Sequence, residues 1–154
     1  MTHHHLRFKV LNSVKSDTNY DEDGAWAAGL WLSTSLMDGG NYNNNAATPP
    51  NLNCIERKLL GLSDPLCLEA DRAYSLEPIH KNGQYYILET NVKGEYFLVE
   101  CRSNEGWDKY IGGSGMLIYH IDENGTDSDT ESSRVSKWKQ NTVNTDPLHQ
   151  CADL

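Results

Sequence analysis

Three runs of β-forming residues dominate the middle of the chain: Tyr85–Thr90, Glu95–Arg102 and Met116–Asp122. Aromatic and β-branched residues suit a pleated, half-buried surface. A turn at Val92-Lys93-Gly94 separates the first two runs, and a longer loop ending in Gly112-Gly113-Ser114-Gly115 separates the second and third. Consecutive strands joined in this way pair antiparallel, so the pattern predicts a meander. A fourth run, Tyr74–His80, leads into Lys81-Asn82-Gly83-Gln84. Asn-Gly is a strong hairpin signal because both turn positions need positive φ, so Tyr74–His80 is expected to be the first strand.

Upstream the period changes. Leu52, Ile55, Leu59 and Leu60 recur at three- and four-residue steps, with Glu56, Arg57 and Lys58 between them and Gly61 behind. That spacing predicts a short amphipathic helix closed by a C-cap glycine. The stretch Asp38-Gly39-Gly40 through Thr48-Pro49-Pro50 is dense in Asn, Gly and Pro and reads as a loop. Ala25–Met37 is more apolar, residues 1–24 are polar and irregular, and residues 123–134 form a polar loop. The expected fold class is therefore α+β: an antiparallel meander of about four strands with one short helix. The expected division is an irregular segment, 1–24, followed by a single domain, 25–154.

Composition narrows the function classes. The chain of 154 residues is 38% hydrophobic and 23% charged, ordinary for one globular domain. No apolar run has the ~20 residues of a membrane span. Thirteen Lys+Arg against 22 Asp+Glu leave a formal charge of −9 with the cations scattered. Phosphate recognition needs clustered cations, so neither nucleic acid nor an anionic membrane is an expected partner. The four cysteines, Cys54, Cys67, Cys101 and Cys151, include no CxxC pair, which argues against a zinc ribbon or a dithiol redox site. They are expected to be two disulfides or four buried thiols. The start, Met1-Thr2-His3-His4-His5-Leu6, has no apolar core or small-residue cleavage site of a signal peptide. Its three histidines read as a metal tract, a tag remnant or a solvated terminus.

Three constellations have chemical potential. Asn19, Asp21 and Asp23 alternate ahead of Gly24, matching the opening half of a calcium loop, although position twelve from Asn19 is Leu30 rather than a bidentate Glu. Glu89, Glu100, His120 and Asp122 lie on successive strands and contain the groups needed for acid–base work or glycoside hydrolysis. The third set is aromatic: Trp26, Trp31, Trp107, Trp138 and eight tyrosines, which serve either core packing or the stacking of sugar rings.

Several stretches, taken in order, resemble the later part of the catalytic domain of immune-inhibitor-A-type secreted zinc metalloproteases. They are Asp17-Thr18, Ser35-Leu36-Met37-Asp38-Gly39-Gly40, Thr48-Pro49-Pro50, Glu56-Arg57-Lys58-Leu59-Leu60-Gly61, Glu95–Glu100, Gly112–Asp122 and His149–Leu154. The resemblance implies a metzincin-like domain, secretion or a cell-envelope location, and a protein or peptide substrate. It makes Ser35-Leu36-Met37 the methionine turn beneath a catalytic zinc. In that family an HExxH helix supplies two histidine ligands and the glutamate that activates the metal-bound water. Here the family spacing places HExxH over His4-His5-Leu6-Arg7-Phe8, which puts His5 at the base, Phe8 at the second ligand and Val14 at a downstream ligand. HExxH occurs nowhere in the sequence. The resemblance therefore implies a peptidase-like chain that is catalytically incompetent, with zinc unbound, and a truncated or frame-shifted reading frame as its origin. A fragment without its active-site helix is further expected to expose an apolar face and to self-associate through it. The competing expectation is a non-enzymatic β-rich module that binds calcium or carbohydrate.

Overall fold

The computed structural model describes residues 32–36, 39–125 and 151–153. Its central feature is the expected meander: β2 (Tyr86–Glu89), β3 (Glu95–Arg102) and β4 (Gly115–Asp122) pair antiparallel in chain order. The β2–β3 turn closes where it was read, with Glu95 N–H donating to the Val92 carbonyl at 3.0 Å. Two-residue strands flank the meander. β1 (Leu66–Cys67) runs parallel to β2, and β5 (Ala152–Asp153) runs antiparallel to β4, giving a mixed five-stranded sheet in the order β1-β2-β3-β4-β5. The fold is α+β, as expected, but the sheet is not wholly antiparallel.

The helix α1 (Cys54–Leu60) also forms where predicted. Asn53 caps its first turn, accepting from Glu56 N–H while the Glu56 side chain accepts from Asn53 N–H; this reciprocal capping box satisfies two otherwise orphaned donors. Gly61, in the left-handed conformation, ends the helix.

The expected first strand is corrected. Tyr74–His80 is mostly irregular; its backbone pairs with the sheet, among the described residues, through an isolated bridge between Pro78 and Cys101. Ile79–Asn82 is a single helical turn, α2. Gly83 lies not in a hairpin but at the C-cap of α2, with φ 71° and its N–H donating to the Ile79 carbonyl at 2.8 Å. A left-handed glycine serves either structure. Pro78 tips the balance: its fixed φ favours a helix start and it has no N–H to give a ladder.

Strand alternation divides the sheet into two unlike faces. On the inner face Tyr96 and Leu98 of β3, Ile87 of β2 and Tyr119 and Ile121 of β4 are buried with Ile55 of α1 and Ile79 of α2. The same parity carries Glu100 and Arg102 of β3 into the interior. The outer face carries Leu88, Phe97, Val99, Met116 and Ile118, and among these Leu88, Met116 and Ile118 are exposed.

Candidate functional site: a buried charge network beneath the Thr34–Leu36 turn

β3 turns charged at its far end on the face that was apolar at its start. Glu100 and Arg102, forced inward by the two-residue period, need partners, because an unpaired buried charge costs several kcal/mol. Arg102 finds them in four residues. Its Nε and Nη2 grip both carboxylate oxygens of Asp108 at 2.9 and 2.6 Å, and its Nη1 meets Glu100 Oε1 at 3.1 Å. The remaining donors reach the carbonyls of Thr34 at 3.3 Å and Asn51 at 3.1 Å. Asp108 sits in a 3-10 helix, Gly106–Tyr110, and also accepts from Asn51 N–H at 2.8 Å. This planar fork, with five donors and fixed geometry, is what only arginine supplies.

Glu100 is wholly buried. It accepts from the Tyr119 hydroxyl at 2.9 Å and from Cys54 N–H at 2.6 Å. Burial raises its pKa above the ordinary carboxylate value, against the opposing pull of Arg102 and of these hydrogen bonds. Burial, reinforced by Glu100, pushes the Cys54 thiol and the Tyr119 hydroxyl up as well. For Arg102 burial acts downward, but Glu100 and Asp108 outweigh it and hold the guanidinium above its usual range. The group is a locked ion pair with a reluctant carboxylate at its centre.

A third buried carboxylate, Glu56, works alongside Glu100 and Asp108. Besides capping α1, its Oε1 accepts from the Ser35 hydroxyl at 2.7 Å and from Leu36 N–H at 3.0 Å. Ser33 donates to the Ile111 carbonyl at 2.7 Å, and Asn43 donates to the Ser33 carbonyl at 2.8 Å. The turn closes on itself through Gly40 N–H and the Ser35 carbonyl, at 3.0 Å. Any side chain at Gly40 would drive its Cβ into the Ser35 carbonyl oxygen and the Pro50 ring, so only glycine fits this approach. The segment 33–36 is thus held from below by Arg102, from one side by Glu56 and from another by Ile111.

The residues read from sequence are placed as follows. Ser35 is buried in this network, while Met37 lies outside the described residues. Asn19, Asp21 and Asp23 of the calcium-like loop lie outside them too, as do the histidine tract, Trp26, Trp31, Trp138 and the boundary between segments 1–24 and 25–154. Glu89, Glu100, His120 and Asp122 do not converge. Register puts Glu100 opposite Leu117 on the inner face and His120 opposite Phe97 on the outer face. His120 pairs instead with Glu95 at 3.0 Å, Asp122 accepts from Asn124 N–H at 2.7 Å, and Glu89 is exposed. Cys54 and Cys151 are buried thiols, Cys67 is exposed and Cys101 is half-buried. Among the described residues no three His, Cys, Asp or Glu side chains are grouped to hold a metal ion. Sequence reasoning missed Arg102, Asp108 and the second role of Glu56; strand parity and the Asn53…Glu56 spacing were the signals for them.

Fold and site together define an α+β protein in which a buried arginine–carboxylate network anchors a loop against a mixed sheet. No family model, curated protein or solved structure matches the chain.

Proposed function

We propose that this chain is the later part of a metzincin-like zinc endopeptidase domain, retaining the floor of a proteolytic cleft without the machinery of hydrolysis. One observation carries the reading: the buried charges of β3 and α1 converge on Thr34, Ser35 and Leu36, the first residues of the segment that resembles a methionine turn. Investing a buried carboxylate, Glu56, and a buried arginine, Arg102, in one short loop suits a loop whose position matters, as beneath a metal site. A zinc peptidase also needs three protein ligands and a base for the metal-bound water. The described residues group no such ligands, and the sequence holds no HExxH. A secreted or cell-envelope setting and a peptide substrate belong to the same proposal. The test is hydrolysis of casein or gelatin with added zinc. No cleavage above blank is expected, and metal-dependent cleavage that a chelator abolishes would overturn the reading.

A second reading rests on the 3-10 helix Gly106–Tyr110. Its three-residue period places Trp107 and Tyr110 on one side, and both are exposed, a surface on which sugar rings stack. Retention on insoluble polysaccharide that Trp107→Ala abolishes would favour a carbohydrate-binding module instead.

A further inference from the structure

Two Asn-Gly pairs occur in the chain, Asn82-Gly83 and Asn124-Gly125. In such a pair the backbone nitrogen of glycine can attack the preceding side-chain amide, because without a Cβ nothing crowds its approach. The fold treats the two pairs differently. Gly83 N–H is spent on the Ile79 carbonyl at 2.8 Å. The Asn82 amide is held at both ends, Oδ1 accepting from Gln84 N–H at 2.8 Å and Nδ2 donating to Gln84 Oε1 at 3.3 Å. Asn124 is exposed, and the hydrogen bonds of its side chain all run from Nδ2. Gly125 N–H has no hydrogen-bond partner among the described residues. We propose that Asn124-Gly125 is a self-modification site, where the chain converts its own asparagine to aspartate or isoaspartate and so unlocks the end of β4 from the β2–β3 turn.

The step balances with water as the only co-reactant. Gly125 N gives up its proton to hydroxide and bonds to Asn124 Cγ. The Cγ–Nδ2 bond breaks, and the nitrogen leaves as ammonia after taking a proton from water. The five-membered imide then adds water at either carbonyl, giving aspartate or isoaspartate. What the exchange does depends on where Nδ2 points. It donates to the Lys93 carbonyl at 2.8 Å and to Asp122 Oδ1 at 2.9 Å, so one amide ties the end of β4 to the turn before β3. The fit there is close. A Cβ at Gly94 would lie 2.9 Å from Asn124 Oδ1, and the Gly94 carbonyl accepts from Glu123 N–H at 2.8 Å. Loss of Nδ2 removes both of its hydrogen bonds. The carboxylate left in its place faces the Lys93 carbonyl and the carboxylate of Asp122, which is only 8% exposed and so poorly screened. An isoaspartate further adds a carbon to the main chain at this point.

The test is peptide mapping of the folded, full-length chain after incubation at alkaline pH, where the glycine nitrogen loses its proton more readily. Asn124 is expected to gain the mass of an NH2-to-OH exchange several-fold faster than Asn82, and the two rates are expected to converge in urea. Equal rates in the folded chain, or faster conversion at Asn82, overturn the proposal. Gly125→Ala is expected to slow conversion at Asn124 several-fold and to leave Asn82 unchanged. An unchanged rate at Asn124 would mean direct amide hydrolysis and overturns ring closure. For the unlocking, Asn124→Asp is expected to melt below Asn124→Ala, which loses the same hydrogen bonds without adding charge, and both below the parent. Asn124→Asp melting at or above Asn124→Ala overturns the unlocking. Asn124-Gly125-Thr126 also matches a glycan-acceptor pattern, and a glycan found on Asn124 Nδ2 would block ring closure and overturn the proposal.

Discussion

At the scale of single residues, Arg102 is the side chain on which most depends. It joins β3 to the Gly106–Tyr110 helix and to the Thr34 and Asn51 carbonyls, so its loss strands Glu100 and Asp108 in the interior. Removing one partner of a buried ion pair costs about 3–5 kcal/mol. Arg102→Met is therefore expected to lower stability by that amount in urea denaturation, and Arg102→Lys, which keeps the charge but not the fork, by less. Glu100 gives a pH signature. Its pKa is raised on folding by burial, so the stability tied to its protonated form is complete below the ordinary value of 4.5 and declines as pH rises toward the folded value. In that window the unfolded chain releases its proton first, which favours unfolding. Glu100→Gln should remove this decline, so the difference in melting temperature between variant and parent should move in the variant's favour as pH rises above about 4.5. A difference that stays constant with pH would show that Glu100 is ionised in both states.

Among the elements, the capping box of α1 serves two structures, starting the helix and holding Ser35 and Leu36. Asn53 supplies the cap oxygen, but its buried Nδ2 finds no hydrogen-bond partner among the described residues. Asn53→Ala is expected to cost about 1 kcal/mol through loss of the cap. Asn53→Ser keeps an acceptor and removes the orphaned donor, so it should cost clearly less in the same thermal melts. Equal losses would mean that the cap oxygen contributes nothing. The elements also differ in how legible they were. α1 and the β2–β4 meander were readable because period and turn chemistry agree within each. Tyr74–His80 misled because Asn82-Gly83 serves a hairpin and a helix C-cap equally, and Pro78 decided for the helix. β1 and β5 are two residues each, too short to carry a period, and exist only because a longer neighbour offers its edge. The network was half legible. The parity of Tyr96 and Leu98 assigns Glu100 and Arg102 to the core face, but Asp108, Ser35 and the Thr34 carbonyl come from loops whose approach no local pattern encodes.

On the scale of the whole molecule, the inner face invests charge in fixing one loop while the outer face is left apolar. Neither gathers metal donors among the described residues, and this is open to a thermodynamic test that needs no substrate. A ligand that binds only the folded state stabilises it by about 2.7 kcal/mol at a hundred times its dissociation constant. In a chain of this size each kcal/mol moves the melting temperature by roughly 2–4 °C. A complete catalytic zinc site would then raise the transition by roughly 5–10 °C at saturating metal. We expect zinc to produce no such rise, because among the described residues His80 pairs with Glu105 and His120 with Glu95, and neither histidine belongs to a group of three metal donors. Calcium distinguishes the alternatives. If the Asn19–Gly24 loop binds it, the rise should appear with calcium alone and disappear in Asp21→Asn with Asp23→Asn. If zinc gives the larger rise, the hydrolytic machinery is present after all, and the reading of this chain as a cleft without its catalyst fails.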